Sequence, residues 1–205
     1  MSTSRPVRVA LAALACIALG GCISVFPKSQ PSQLYRFDNE PLQAGQALPA
    51  PGARVIARGS MRFETAAAAD RILTVTGPDT AYIKDARWVS SAPVLFEESL
   101  IKAFEARGGP RLAEGGSSIR ASAILNLDVQ TFETRYDQGP AAPPQVVVQV
   151  RAQLVRTEDH GVIGEQLFTS AQRASDNRVG PIVQGYDAAV HDVLAKLAAW
   201  TAQPG

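Results

Sequence analysis

Cysteine is nearly missing from this 205-residue chain: there are two, Cys16 and Cys22, both near its start. Beyond residue 22 no thiol is left for a disulfide, a nucleophile or a soft metal site. Histidine is as scarce, with His160 and His191 alone. Neither has a second His or Cys at ligand spacing, so no metal site is expected. Neither sign of charge prevails, with 20 basic and 19 acidic side chains and a formal net charge of +1. That balance lacks the basic footprint of a nucleic-acid binder. There is no Gly-rich phosphate loop ending in Lys-Ser/Thr, no G-x-S-x-G elbow and no dinucleotide glycine spacing. Glu97 and Glu98 are adjacent in an expected helix and point in different directions, unlike a catalytic pair. His160 lies beside Asp159 in an expected turn, where solvation is the plainer reading. No catalytic residue and no cofactor are expected. No apolar run approaches the roughly 20 residues of a membrane-spanning helix.

The strongest local pattern is at the start. Arg5 and Arg8 precede an apolar run from Val9 to Leu19, and Gly20 and Gly21 lead into Cys22. A basic start, a short apolar core and small residues before a cut site make a secretory signal, here residues 1–21. Leu19-Gly20-Gly21-Cys22 is similar to the bacterial lipobox, in which cleavage falls between Gly21 and Cys22 and the thiol is acylated. Losing Arg5 and Arg8 would leave 18 basic against 19 acidic side chains. Residues 22–32 then read as a lipidated tether with Pro27 and Pro31; its last ten residues reach at most about 33–36 Å.

The chain as a whole is 46% hydrophobic and 19% charged, an ordinary globular composition, and residues 33–205 read as one domain. Short strands are expected at 33–37, 54–63, 71–76 and 80–84, with a helical turn at 65–70. Helix entry is expected over residues 87–93, where Ser90 and Ser91 precede Pro93. The helix then runs from Val94 to Arg107, where glycines and Pro110 stop it. From Ala121 the period becomes two, with Ala121, Ala123, Leu125, Leu127 and Val129 on one face. Residues 145–157 alternate likewise, and a turn at 158–161 leads to a third strand near 162–174. These three strands form an antiparallel meander with one wet face. Ile182, Val183, Tyr186, Val190, Val193, Leu194, Leu197 and Trp200 place one apolar stripe on a closing helix. The expected class is α+β: an antiparallel or mixed β-sheet with a C-terminal β-meander, packed by two main α-helices.

Several stretches in order carry a family likeness. They are the lipobox at Cys22, Tyr35-Arg36-Phe37, Asp70-Arg71-Ile72, Tyr82 leading to Arg87-Trp88 and Pro93, Val129-Gln130-Thr131-Phe132-Glu133, Phe168, and the last helix ending near Trp200. Together the chain resembles the ABC-type transport auxiliary lipoprotein family. It departs from the family's usual pattern at residues 63–70, where a proline-tyrosine-leucine-aspartate run is common.

The resemblance implies a non-enzymatic lipoprotein subunit of an MCE-type ABC lipid-transport system. It would be anchored in the outer membrane by acyl chains on Cys22 and face the periplasm. Its partner would be an MCE-domain periplasmic protein and, through it, the permease and ATPase. Homo-oligomerisation stays open. Ile23, in place of the aspartate that retains many lipoproteins in the inner membrane, favours the outer one. With the apolar stripes spent on the core, docking falls to loops or the wet sheet face. The candidate is the loop of Asp137, Gln138, Gly139, Pro140, Pro143 and Pro144, whose prolines lower the entropy cost of ordering. A passive connector is the plain alternative for this loop. For the whole chain the alternative is a structural envelope-assembly lipoprotein unrelated to lipid transport.

Overall fold

Thirteen residues from Ala123 to Arg135 form the longest strand, and the other strands gather on its two edges. The computed structural model describes residues 32–38, 52–107, 109–114 and 120–203. The signal sequence, Gly21, Cys22, the tether before Ser32 and most of the 38–52 loop lie outside the described residues.

The described strands are β1 (Gln33–Tyr35), β2 (Val55–Phe63), β3 (Arg71–Thr76), β4 (Asp79–Trp88), β5 (Arg111–Ala113), β6 (Ala123–Arg135), β7 (Gln145–Arg156) and β8 (Val162–Arg173). The helices are α1 (Ala92–Arg107) and α2 (Val179–Thr201), with one 3-10 turn at Thr65–Ala67. The class is α+β, and β6, β7 and β8 form the expected antiparallel meander. Residues 33–37 were expected to be strand throughout, but β1 stops at Tyr35.

The other edge of β6 is shared end to end. β2 pairs with its first half in parallel, Ile56 opposite Ala123 through Phe63 opposite Val129. β3 pairs with its last residues, Thr74 opposite Thr134 and Val75 opposite Arg135. Glu64 closes the gap between them: its backbone N–H donates to Val129 O at 2.9 Å, and its carboxylate accepts from Phe132 N at 3.2 Å. A side chain thus satisfies a strand N–H that would otherwise be an orphan.

The register of β6 shifts between Val129 and Thr131. The extra residue inverts the alternation, so that Phe132 and Thr134 continue the buried face begun by Ala123, Leu125, Leu127 and Val129. Both helices pack on this meander side, α2 over β7 and β8 and α1 against α2. The expected stripe on α2 is buried at Ile182, Tyr186, Val190, Val193, Leu194 and Leu197. Lys196 stays outside, paired with Asp192 at 2.7 Å.

The first helix opens at Ala92, inside the expected entry, but β4 runs on to Trp88, past the expected 80–84. Arg87 and Trp88 finish β4, held there because Trp88 pairs with Tyr35 and donates its backbone N–H to Asp70 O at 2.7 Å. Long-range pairing extends β4 through Arg87 and Trp88, and α1 then opens at Ala92 after the two serines, with Pro93 in its first turn as expected. β5, three residues beside β2, carries no alternation that sequence could display.

The N-terminal segment is fastened firmly. Phe37 is fully buried, with its ring edge-on to Trp88 at 5.1 Å. Arg36 pairs with Glu98 on α1. Lys102 of α1 donates to Asp38 O at 2.7 Å, with its ammonium 3.4 Å from the Asp38 carboxylate. Asp38 N donates to Asp187 of α2 at 2.6 Å.

Candidate functional site

The 137–144 loop joins β6 to β7 and is tied to the junction of β8 and α2. Arg173 of β8 donates to both carboxylate oxygens of Asp137, at 2.5 and 2.7 Å, and to Pro143 O at 3.1 Å. That two-point contact holds the Asp137 carboxyl below its usual range. Asn177, just ahead of α2, donates to Pro140 O at 2.8 Å and accepts from the Tyr136 hydroxyl at 2.8 Å. Gly139 takes φ +92, a left-handed conformation that glycine adopts without the cost of a Cβ. Asp137, Gln138, Pro140 and Ala141 are exposed, whereas Pro144 is buried. The loop therefore presents a fixed surface, and its Asp137 end is part of the fold's own bonding.

Beside it along the sheet runs the wet face of the meander. Arg62 pairs with Asp128 at 3.0 Å, and Arg151 pairs with Glu165 at 2.8 Å. Asp128 and Arg151 are register partners, so charge alternates across β2, β6, β7 and β8. Ser60, Asn126 and Gln153 complete a groove of about 400 Å³ around these charges. The groove exists because β2 bulges between Arg58 and Met61, which lets Ser60 N donate to the Asn126 side chain at 3.0 Å. A Cβ at Gly59 would stand 2.2 Å from Asn126 Oδ1, so only glycine permits this approach.

Most positions that carry the family likeness build the frame. Arg87 donates to both Asp70 oxygens at 3.1 Å. Arg71 lies 3.9 Å over the Tyr82 ring, and Tyr82 donates to Ala66 O at 3.0 Å. Phe168 packs edge-to-face with Trp200, ring centroids 5.8 Å apart. Glu97, read as non-catalytic, pairs with Arg58, and His160 sits in the β7–β8 turn at φ 57. Among the described residues, no group of three His, Cys, Asp or Glu is placed to hold a metal ion.

Two features escaped sequence reasoning. One is Glu64, which no motif marks. Burial pushes its carboxyl above the ordinary glutamate range, and the nearby Glu133 charge adds to that, against the Phe132 N–H bond. The fold then binds the Glu64 proton more tightly than the unfolded chain does. Its stability contribution is largest below pH 4.5 and is lost as pH rises through the folded pKa. Glu64→Gln keeps an acceptor for Phe132 N without the charge. The variant's melting temperature, relative to the native protein's, is expected to rise between pH 4 and pH 7. A difference independent of pH would count against a buried charge at this place. The other feature is a group of arginines, Arg54, Arg120 and Arg156, brought together from distant parts of the chain.

A family model described as "ABC-type transport auxiliary lipoprotein component" matches residues 35–198. No curated protein matches the chain significantly. Among solved structures, one of a Xanthomonas campestris protein superposes with a TM-score of 0.72 at 22% identity, covering 83% of this chain and 95% of that one. An uncharacterized protein gives 0.63 at 14% identity, covering 84% and 99%. A hypothetical protein from Chlamydia trachomatis gives 0.50 at 11%, covering 72% and 97%. At these identities the likeness is one of fold.

Proposed function

This chain belongs to the ABC-type transport auxiliary lipoprotein family, and on that premise we propose that it acts by binding, without chemistry of its own. In this reading it is held to the outer membrane through acyl chains on Cys22 and faces the periplasm. There it docks the MCE-domain component of a lipid-transport system, with energy supplied by that system's ATPase. The family match across residues 35–198 carries the reading. The clamped 137–144 loop supports a docking role, because a surface already fixed by Arg173 and Asn177 loses little entropy on binding.

Shortening the loop would remove the Asp137 grip on Arg173 and disturb the fold itself. The exposed tip offers a cleaner test, because Gln138 and Ala141 point to solvent. A Gln138→Arg, Ala141→Arg variant is expected to melt within a degree or two of the native protein. It should capture the MCE-domain protein encoded nearby at least tenfold more weakly in detergent-solubilised envelopes. Equal capture would move the docking site off this loop. Failure of the native lipoprotein to capture a folded MCE partner would overturn the transport reading itself.

A further inference from the structure

A second opening lies at the other end of β6, away from the 137–144 loop. It is a cleft of about 830 Å³ where the first residues of β6 meet the end of β7 and the start of β8. Arg54, Arg120 and Arg156 surround it, and Ala121, Ala123 and Ile163 supply apolar surface between them. Ser122 and Thr157 add hydroxyls, and Glu158 is the one carboxylate among the described lining residues.

Each arginine is placed differently. Arg54 donates through Nη2 to Thr201 O at the C-terminal end of α2, which fixes the half-buried guanidinium at the mouth. A guanidinium carries five N–H donors, so this contact orients Arg54 without exhausting it. Arg156 is steered by Asp159 at 2.8 Å within the β7–β8 turn. Arg120 is exposed and has no ion pair among the described residues. Three guanidinium groups against the carboxylates of Glu158 and Asp159 leave a local excess of positive charge, centred on Arg54 and Arg120, in a chain that is nearly neutral overall. Planar forks of this kind suit phosphate oxygens, which accept paired N–H bonds.

The cleft is far larger than a bare phosphate needs, and its apolar wall would be left wet by one. We infer that it binds the phosphate group of an amphiphilic phosphate ester, Arg120 making the principal contact and the apolar wall covering the ester's carbon portion. The site lies apart from the 137–144 loop, so it stands or falls independently of the docking proposal.

Calorimetric titration tests this on the full-length lipoprotein in phosphatidylcholine nanodiscs. The probes are inorganic phosphate, dihexanoyl phosphatidylglycerol, and dihexanoyl phosphatidylcholine as a zwitterionic control. The phosphatidylglycerol is expected to bind more tightly than the control, and Arg120→Ala to weaken it about tenfold or more, as loss of a charge-assisted contact does. Glu158→Gln should tighten it several-fold by removing the opposing charge. Phosphate binding as tightly as the lipid, with the same Arg120 dependence, would keep the anion site and overturn the amphiphile. Binding of the two lipids alike, no binding by either anionic probe, or affinities unchanged in both variants would overturn the site altogether.

Discussion

Phe132→Ala is expected to cost about 3–5 kcal/mol, out of a total stability of about 5–15 kcal/mol. The ring is fully buried, and its neighbours come from five separate parts of the chain. Tyr186 of α2 lies 4.8 Å away, Phe63 of β2 5.2 Å and Phe37 5.5 Å, with Trp88 of β4 and Phe96 of α1 each at 6.5 Å. Removing it opens a cavity that rigid sheet and helix walls cannot fill by collapse. The aromatic pairs are each worth about 0.5–1.5 kcal/mol beyond area burial, and they do not add independently. Urea unfolding of the variant beside Lys196→Ala would measure this. The lysine change, at an exposed i,i+4 pair with Asp192, should stay within about 0.5 kcal/mol. Similar small losses in both would mean that the aromatic cluster does not hold the layers together.

Phe132 also shows where the sequence stopped being legible. Period-two alternation identified the three meander strands, and the 3.6-residue stripe identified α2, because both patterns report burial on one face directly. Strict alternation from Val129 would turn Thr131 and Glu133 inward. The bulge at Gln130 reverses that phase, and no local residue announces it. Arg87 and Trp88 belong to β4 for a related reason: Ser90, Ser91 and Pro93 are genuine start signals, but pairing with β1 decides where β4 ends. The parallel contacts of β2 and β3 with one edge of β6, and Glu64 in the gap between them, are long-range facts without a local signature.

Of the site, the 137–144 loop could be found from its prolines, but its anchoring could not. Asp137 and Arg173 are 36 residues apart, and only the meander's register brings them together. Arg54, Arg120 and Arg156 illustrate the same limit. Spacing reveals sites built within one element, such as a phosphate loop or a metal motif. A cleft assembled at the ends of four elements leaves three unremarkable arginines in the sequence.

Cys22→Ser is expected to abolish incorporation of a fatty-acid analogue and to move the protein from the membrane fraction to the soluble one. Among the described residues no helix is long and apolar enough to cross a membrane. In the proposed reading the acyl chains are the anchor. Each buried methylene contributes about 0.8 kcal/mol, so two or three chains hold stably where one gives only marginal, reversible binding. The effect should be close to all-or-none. The pull of such an anchor would enter the described structure near Ser32, where Phe37 burial, the Arg36–Glu98 pair and the contacts of Asp38 with Lys102 and Asp187 fasten the chain to both helices. The serine variant should consequently keep the native melting temperature while losing its membrane. Persistent labelling would rule out Cys22 as the acylated residue. Retention on membranes without label would show that another part of the chain holds it there.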